Sequence, residues 1–116
     1  MDPFTIRDLP TTSAFLAGRG PVDPALGVVT DRLQVFWRLA DLLDGEARLH
    51  AHTRGDELFV VLAGALVVEV GGEERRVGPR QWCHFGVGVF HRIVRAEGPL
   101  EALVVRAPSV DDKAYA

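Results

Sequence analysis

Residues 50–57 read His50-Ala51-His52-Thr53-Arg54-Gly55-Asp56-Glu57, and the way this stretch can fold constrains the rest of the chain. In an extended strand successive side chains alternate faces, so His50 and His52 project the same way, about 6–7 Å apart along the backbone. Thr53-Arg54-Gly55-Asp56 is turn-like, so Glu57 is expected to open the next strand and swing back beside the two imidazoles. A third imidazole, His91, can arrive from a strand packed nearby. Three nitrogens and one oxygen suit a single divalent transition metal, Fe, Mn, Ni, Zn or Cu, with positions left over for water or substrate. The plainer alternative is a polar cluster in which the four residues satisfy one another. Three converging imidazoles are an unusual way to fill a core without a cation, so metal binding by His50, His52, Glu57 and His91 is the expectation.

Working outward, the segments around this stretch have the texture of strands. Leu33–Leu39, Leu58–Leu62, Ala65–Val70, Val87–Val94 and Leu100–Val105 are rich in Val, Leu and aromatic residues. They are separated by turn signals at Asp44-Gly45, Arg54-Gly55-Asp56, Gly71-Gly72, Gly78-Pro79 and Gly98-Pro99. Paired glycines at 71 and 72 supply the positive φ that a two-residue hairpin needs. Short strands with frequent turns and no long helical periodicity predict an all-β sandwich or barrel. Leu39–Leu43 suits at most one helical turn before Asp44-Gly45. Residues 1–30, with Pro3, Pro10, Pro21 and Pro24, read as an irregular arm of the same domain, with one short strand and a helical turn near Ser13–Ala17. The barrel is expected over 31–108, and 109–116 as a solvated C-terminal tail.

Composition narrows the function. The chain has 116 residues, enough for one domain with a real core, and 47% hydrophobic and 25% charged residues suit a soluble globular protein. A formal net charge of -3 argues against a nucleic-acid or anionic-membrane binder. Cys83 is the one cysteine, which excludes an internal disulfide and a multi-thiolate zinc site. No apolar run reaches membrane-spanning length and Met1–Leu9 lacks a secretory layout, so a cytoplasmic protein is expected.

The motif residues also carry a family resemblance. Gly45, His50, His52, Glu57 and Gly64 resemble the first cupin motif, with Gly45 five residues before His50 where six is usual. Gly78-Pro79-Arg80-Gln81 with Gly86 through His91 resembles the second motif. Arg80, Gln81 and Gly86 stand where glycine, aspartate and proline are usual, and none of the three is a ligand position. The resemblance spans roughly Leu33–Ala107 and is closest to small single-domain cupins of the mannose-6-phosphate-isomerase-like type. It implies a jelly-roll β-barrel with its metal inside the mouth, commonly a homodimer, and chemistries as diverse as dioxygenase, isomerase and lyase reactions.

Three further residues are candidates for a substrate cavity. Arg48 would share the face of His50 and His52 in a regular strand and hold a carboxylate or phosphate, whereas a distortion there would leave it in solvent. Phe59 alternates with Glu57 and should line the interior. Having no hydroxyl, it cannot serve as a tyrosine base. His84 is either an acid or base near the metal or a partly exposed strand histidine. Cys83 reads as a small buried apolar residue, and Phe36, Trp37, Trp82 and Phe85 as core or interface. No residue is an unambiguous catalytic acid or base. The expected function is a metal-dependent enzyme acting on a small organic molecule. The alternatives are a non-catalytic ligand-binding module and a barrel merely stabilised by its metal.

Overall fold

The computed structural model describes residues 4–41 and 45–116. Of the helical turn expected at Leu39–Leu43, Leu42 and Leu43 lie outside them, and Leu39 and Ala40 belong to a strand instead. The described residues form nine strands and no helix, so no helix is long and apolar enough to cross a membrane. In chain order these are β1 (Ala14–Gly18), β2 (Val28–Val29), β3 (Gln34–Ala40), β4 (His50–His52), β5 (Asp56–Val70), β6 (Glu73–Val77), β7 (Trp82–Phe85), β8 (His91–Ala107) and β9 (Lys113–Tyr115).

Two long strands form the frame. β5 and β8 run antiparallel from Asp56↔Ala107 to Val70↔His91. The far side of β5 carries β7 over residues 57–60 and β6 over 66–70. The far side of β8 carries β3 over 100–106, while His50 of β4 pairs with His91 at its start. The core between the layers consists of Phe59, Val61, Leu66, Val68, Val77, Phe85, Ile93, Leu100 and Ala102. Burying each of the larger ones contributes about 1.5–3 kcal/mol. This is the all-β cupin jelly-roll architecture expected from the sequence.

The strand limits differ from the sequence reading in ways that have physical causes. The runs on either side of Gly64 are one strand, because bulges around residues 61–65 absorb the glycine without breaking the ladder. Gly64 sits there at φ +71°, and a Cβ would lie 2.6 Å from the carbonyl oxygens of Glu97 and Pro99. Gly98-Pro99 likewise lies inside β8, opposite that bulge, and is not a chain reversal. Gly71-Gly72 does form the hairpin turn, at φ 60° and 77°. Residues 87–90 are a loop, with the strand starting only at His91. The segment expected to hold a helical turn, Ser13–Ala17, is instead largely β1, because its backbone groups find partners on β3 at Ala14↔Trp37 and Phe15↔Phe36. Available ladder partners override weak helix propensity. The supposed solvated tail is also structured: Ser109 and Asp112 are buried, and β9 pairs along the whole of β4.

β3 illustrates how alternation serves two surfaces. Gln34, Phe36 and Arg38 face a cavity, while Trp37 is buried on the other side and donates its indole N–H to the Pro10 carbonyl at 3.0 Å. The N-terminal arm thereby meets the outer face of the sheet at Trp37.

Candidate metal centre

His50, His52, Glu57 and His91 converge because of register. His50 and His91 are directly opposed across β4 and β8, which places their side chains on one face with ring centroids 4.5 Å apart. His52 follows two residues later on the same face, and Glu57 enters from the second residue of β5. All four residues are buried, and one ligand atom from each lies within 4.8 Å of all the others.

Each ring is held by a contact behind it. His91 donates from Nδ1 to the Val89 carbonyl at 3.0 Å, which leaves Nε2 facing Glu57 Oε1 at 2.7 Å. Phe85 stacks flat on the His91 ring, 3.8 Å between centroids and 6° between planes. His52 directs Nδ1 to Asp112 Oδ1 at 2.9 Å, so Nε2 points inward, 3.4 Å from Glu57 Oε2. Asp112 is itself fixed by the backbone N–H groups of Arg54 and Gly55, at 3.0 and 2.9 Å. His50 Nδ1 lies 3.5 Å from Glu46 Oε2, and the other carboxylate oxygen of Glu46 accepts the Ile93 N–H.

Two buried ring nitrogens, His50 Nδ1 and His52 Nε2, have no hydrogen-bond partner among the described residues. Buried polar atoms are rarely left so, and an ion is one of the standard explanations. Three imidazoles and one carboxylate, with a carboxylate behind one imidazole fixing its tautomer, fit a divalent transition metal. Protonation follows the same geometry. Burial works to raise the Glu57 carboxyl, but the His52 and His91 rings beside it outweigh burial and hold the group at about 2. Burial pulls the His50 pKa below the usual histidine value. The Glu57 carboxylate lifts that of His52 against burial, and Asp112 adds to the rise. Asp112 is held below the ordinary aspartate value, because hydrogen bonds to His52, Arg54 and Gly55 outweigh its burial.

The cluster opens onto a cavity of about 390 Å³. Phe15, Phe36, Phe59, Ile93 and Val104 form its apolar wall, and Arg38, Arg106, Lys113, Gln34 and Glu46 its polar part. Phe59 therefore lies where alternation from Glu57 places it. Arg48 does not line the cavity: it sits in an exposed bend before β4, with its guanidinium 4.3 Å above the Tyr115 ring. His84 is also apart, exposed on β7 and 2.9 Å from Asp56 Oδ1. Cys83 is half-buried, and burial pushes its thiol up to about 11. Trp82 is exposed, whereas Trp37 and Phe85 are buried. Asp112 was missed because Asp111-Asp112-Lys113 reads as a solvated run. Arg38 and Arg106 were legible only as alternating members of strands whose inward face the sequence does not mark.

A family model described as a cupin domain matches residues 42–106. No curated protein matches the chain. Among solved structures, KdgF from Halomonas sp. is 27% identical with a TM-score of 0.58, covering 72% of this chain and 74% of its own. The Streptomyces nucleoside dehydratase Pac13, solved with uridine, is 17% identical with a TM-score of 0.63, covering 78% and 73%. The DMSP lyase DddQ from Ruegeria pomeroyi DSS-3 is 20% identical with a TM-score of 0.65, and the match covers 89% of this chain but only 50% of the lyase.

Proposed function

The chain belongs to the cupin family, and we propose that it is a metal-dependent enzyme acting on a small organic molecule. The observation that carries this reading is the convergence of four buried residues, one ligand atom from each within 4.8 Å of all the others, beside a cavity large enough for a ligand. His50, His52, Glu57 and His91 would hold one divalent ion. Such an ion supplies Lewis acidity, polarising a carbonyl or hydroxyl of the substrate.

The protein's own part is to position and to exclude water. Asp112 and the Val89 carbonyl fix the rings of His52 and His91, so the inward nitrogens are preset. Phe59, Phe36 and Val104 offer an apolar wall against the substrate body. A metal that served only stability would sit in a closed site, whereas here the ligand set forms part of a cavity wall. Among reaction types, elimination or isomerisation is placed ahead of dioxygenase chemistry. Its support is that two structurally similar proteins are a dehydratase and a lyase.

The test is metal content by plasma mass spectrometry on protein purified without chelators or a metal-affinity column, with His91→Ala in parallel. About one transition metal per wild-type chain, lost in a folded His91→Ala variant, is the expected result. A wild-type protein that retains no metal after loading with excess ions would overturn the reading. So would a variant that keeps full occupancy.

A further inference from the structure

The charge of the metal cavity departs from that of the chain. The protein is acidic overall, with a formal net charge of -3, yet the cavity wall carries Arg38, Arg106 and Lys113 against Glu46 and Glu57. Lys113 is the single lysine of the sequence. It is placed by register, as the cross-strand partner of His52, which puts its side chain on the same face of the sheet as the metal-ligand histidines.

The two acids have defined tasks. Glu57 belongs to the ligand set, and Glu46 is tied by the Ile93 N–H. Arg106 is partly committed as well, through Nη2 to Gln34 Oε1 at 3.0 Å and Nη1 at 3.6 Å from Asp112 Oδ1. Arg38 and Lys113 have no carboxylate within ion-pair distance among the described residues; each lies instead near an aromatic ring, Arg38 5.3 Å from that of Phe36 and Lys113 6.0 Å from that of Tyr115. Two cations with no carboxylate at ion-pair distance among the described residues, beside a divalent-metal site, make a local field that attracts an anion and rejects cationic ligands.

We propose that the cavity takes a small organic acid, with its carboxylate held by Arg38 and Lys113 and its reacting carbon at the His–Glu cluster. This rests on the function proposed above and names its substrate class. Arg38 suits the role because a guanidinium can grip a carboxylate with two parallel hydrogen bonds, and the residue is half-buried in the cavity wall, opposite Ala102 in the sheet. The apolar wall of Phe15, Phe36, Phe59, Ile93 and Val104 calls for a carbon skeleton and not an inorganic ion. A volume of about 390 Å³ limits that skeleton to a small molecule.

The test uses metal-loaded protein and matched probes: pyruvate against pyruvamide and benzoate against benzamide, by calorimetric titration, with inorganic phosphate as competitor. Arg38→Gln and Lys113→Gln are titrated beside the wild type, and metal content is measured in every sample. Because Lys113 is the only lysine, its modification by an amine-selective reagent can be located by peptide mapping and its protection by benzoate followed directly. The expected result is carboxylate binding, with each substitution weakening it by about tenfold or more at unchanged metal content. Benzoate should slow labelling of Lys113 severalfold. Equal affinity for acids and amides, undiminished binding in both variants, or phosphate displacing carboxylates at equal concentration would overturn the proposal. One metal per chain without a carboxylate preference sinks this inference alone. Arg38-dependent carboxylate binding in a chain that takes up no metal upholds the anion site and sinks the enzymatic reading.

Discussion

Replacing Asp112 should weaken the proposed metal centre without touching any of the four residues proposed to hold the ion. Its carboxylate accepts from His52 Nδ1 at 2.9 Å and from the Arg54 and Gly55 amides at 3.0 and 2.9 Å, with a side chain only 2% exposed. Hydrogen bonds to a charged acceptor contribute about 1.5–3 kcal/mol each, and they are not additive within one cluster. Asp112→Ala strands three donors, two of them buried, and should cost the metal-free protein roughly 3–5 kcal/mol, read as a lower urea midpoint. Asp112→Asn retains one acceptor oxygen but turns an amide NH₂ towards a donor, so its cost should be smaller but of the same sign. The His52 ring, no longer held, should bind metal about 10–100-fold more weakly in competition with a chromogenic chelator. The two readouts separate anchoring of the loop from orientation of the ligand. If Asp112→Ala unfolds at the wild-type midpoint and binds metal with unchanged affinity, the carboxylate neither anchors nor orients, and the reasoning fails.

Other outcomes follow from the same geometry. Glu57 is held at about 2 against an ordinary 4.5, so the stability it contributes to metal-free protein is present above pH 4.5 and lost as pH falls towards 2. That drop amounts to roughly 3 kcal/mol at about 1.4 kcal/mol per pKa unit, and Glu57→Gln should flatten the acid side of a urea-midpoint profile. Gly64→Ala should lower the melting temperature sharply, because a left-handed φ of +71° and a Cβ 2.6 Å from two carbonyl oxygens together cost at least about 2 kcal/mol. A wild-type melting temperature would show that β5 and β8 can part there freely. Cys83, with its thiol pushed up to about 11, should react slowly with a disulfide reagent in folded protein and fast in urea, and equal rates would contradict its burial.

What was legible in the sequence was whatever a local period converts into geometry. Two histidines separated by one residue share a face in any strand, and a turn-like Thr53–Asp56 returns Glu57 beside them, so three of the four cluster members follow from eight consecutive positions. His91 needed only a neighbouring strand. Arg48 shows where the same rule stops, with the solvent position that a distortion before His50 allowed. Its place on that face required β4 to begin before His50, whereas the chain bends at Ala47-Arg48 and the strand is three residues long. Asp112 was hidden for the opposite reason. Its partners lie 57–60 residues earlier in the chain, and nothing near position 112 indicates that β9 will pair with β4. A buried carboxylate and a solvated one are spelled alike until the donors around it are known.

The cavity wall was harder still, because both faces of β3 are covered. In an antiparallel sheet with one wet face, apolar residues mark the inside. Here Trp37 is buried beneath the N-terminal arm, while Gln34 and Arg38, the polar members, face the cavity with Phe36. Hydropathy alone would turn this strand the wrong way, with the tryptophan inward and the arginine in water. Register decides otherwise: Gln34 opposes Arg106 and bonds to it, and Phe36 opposes Val104, so the polar pair and the apolar pair line one surface. Arg38 stands half-buried on the inner face of the barrel with no carboxylate at ion-pair distance among the described residues, and a half-buried charge without a partner carries a desolvation cost. That cost is offset if the cavity's occupant is itself an anion.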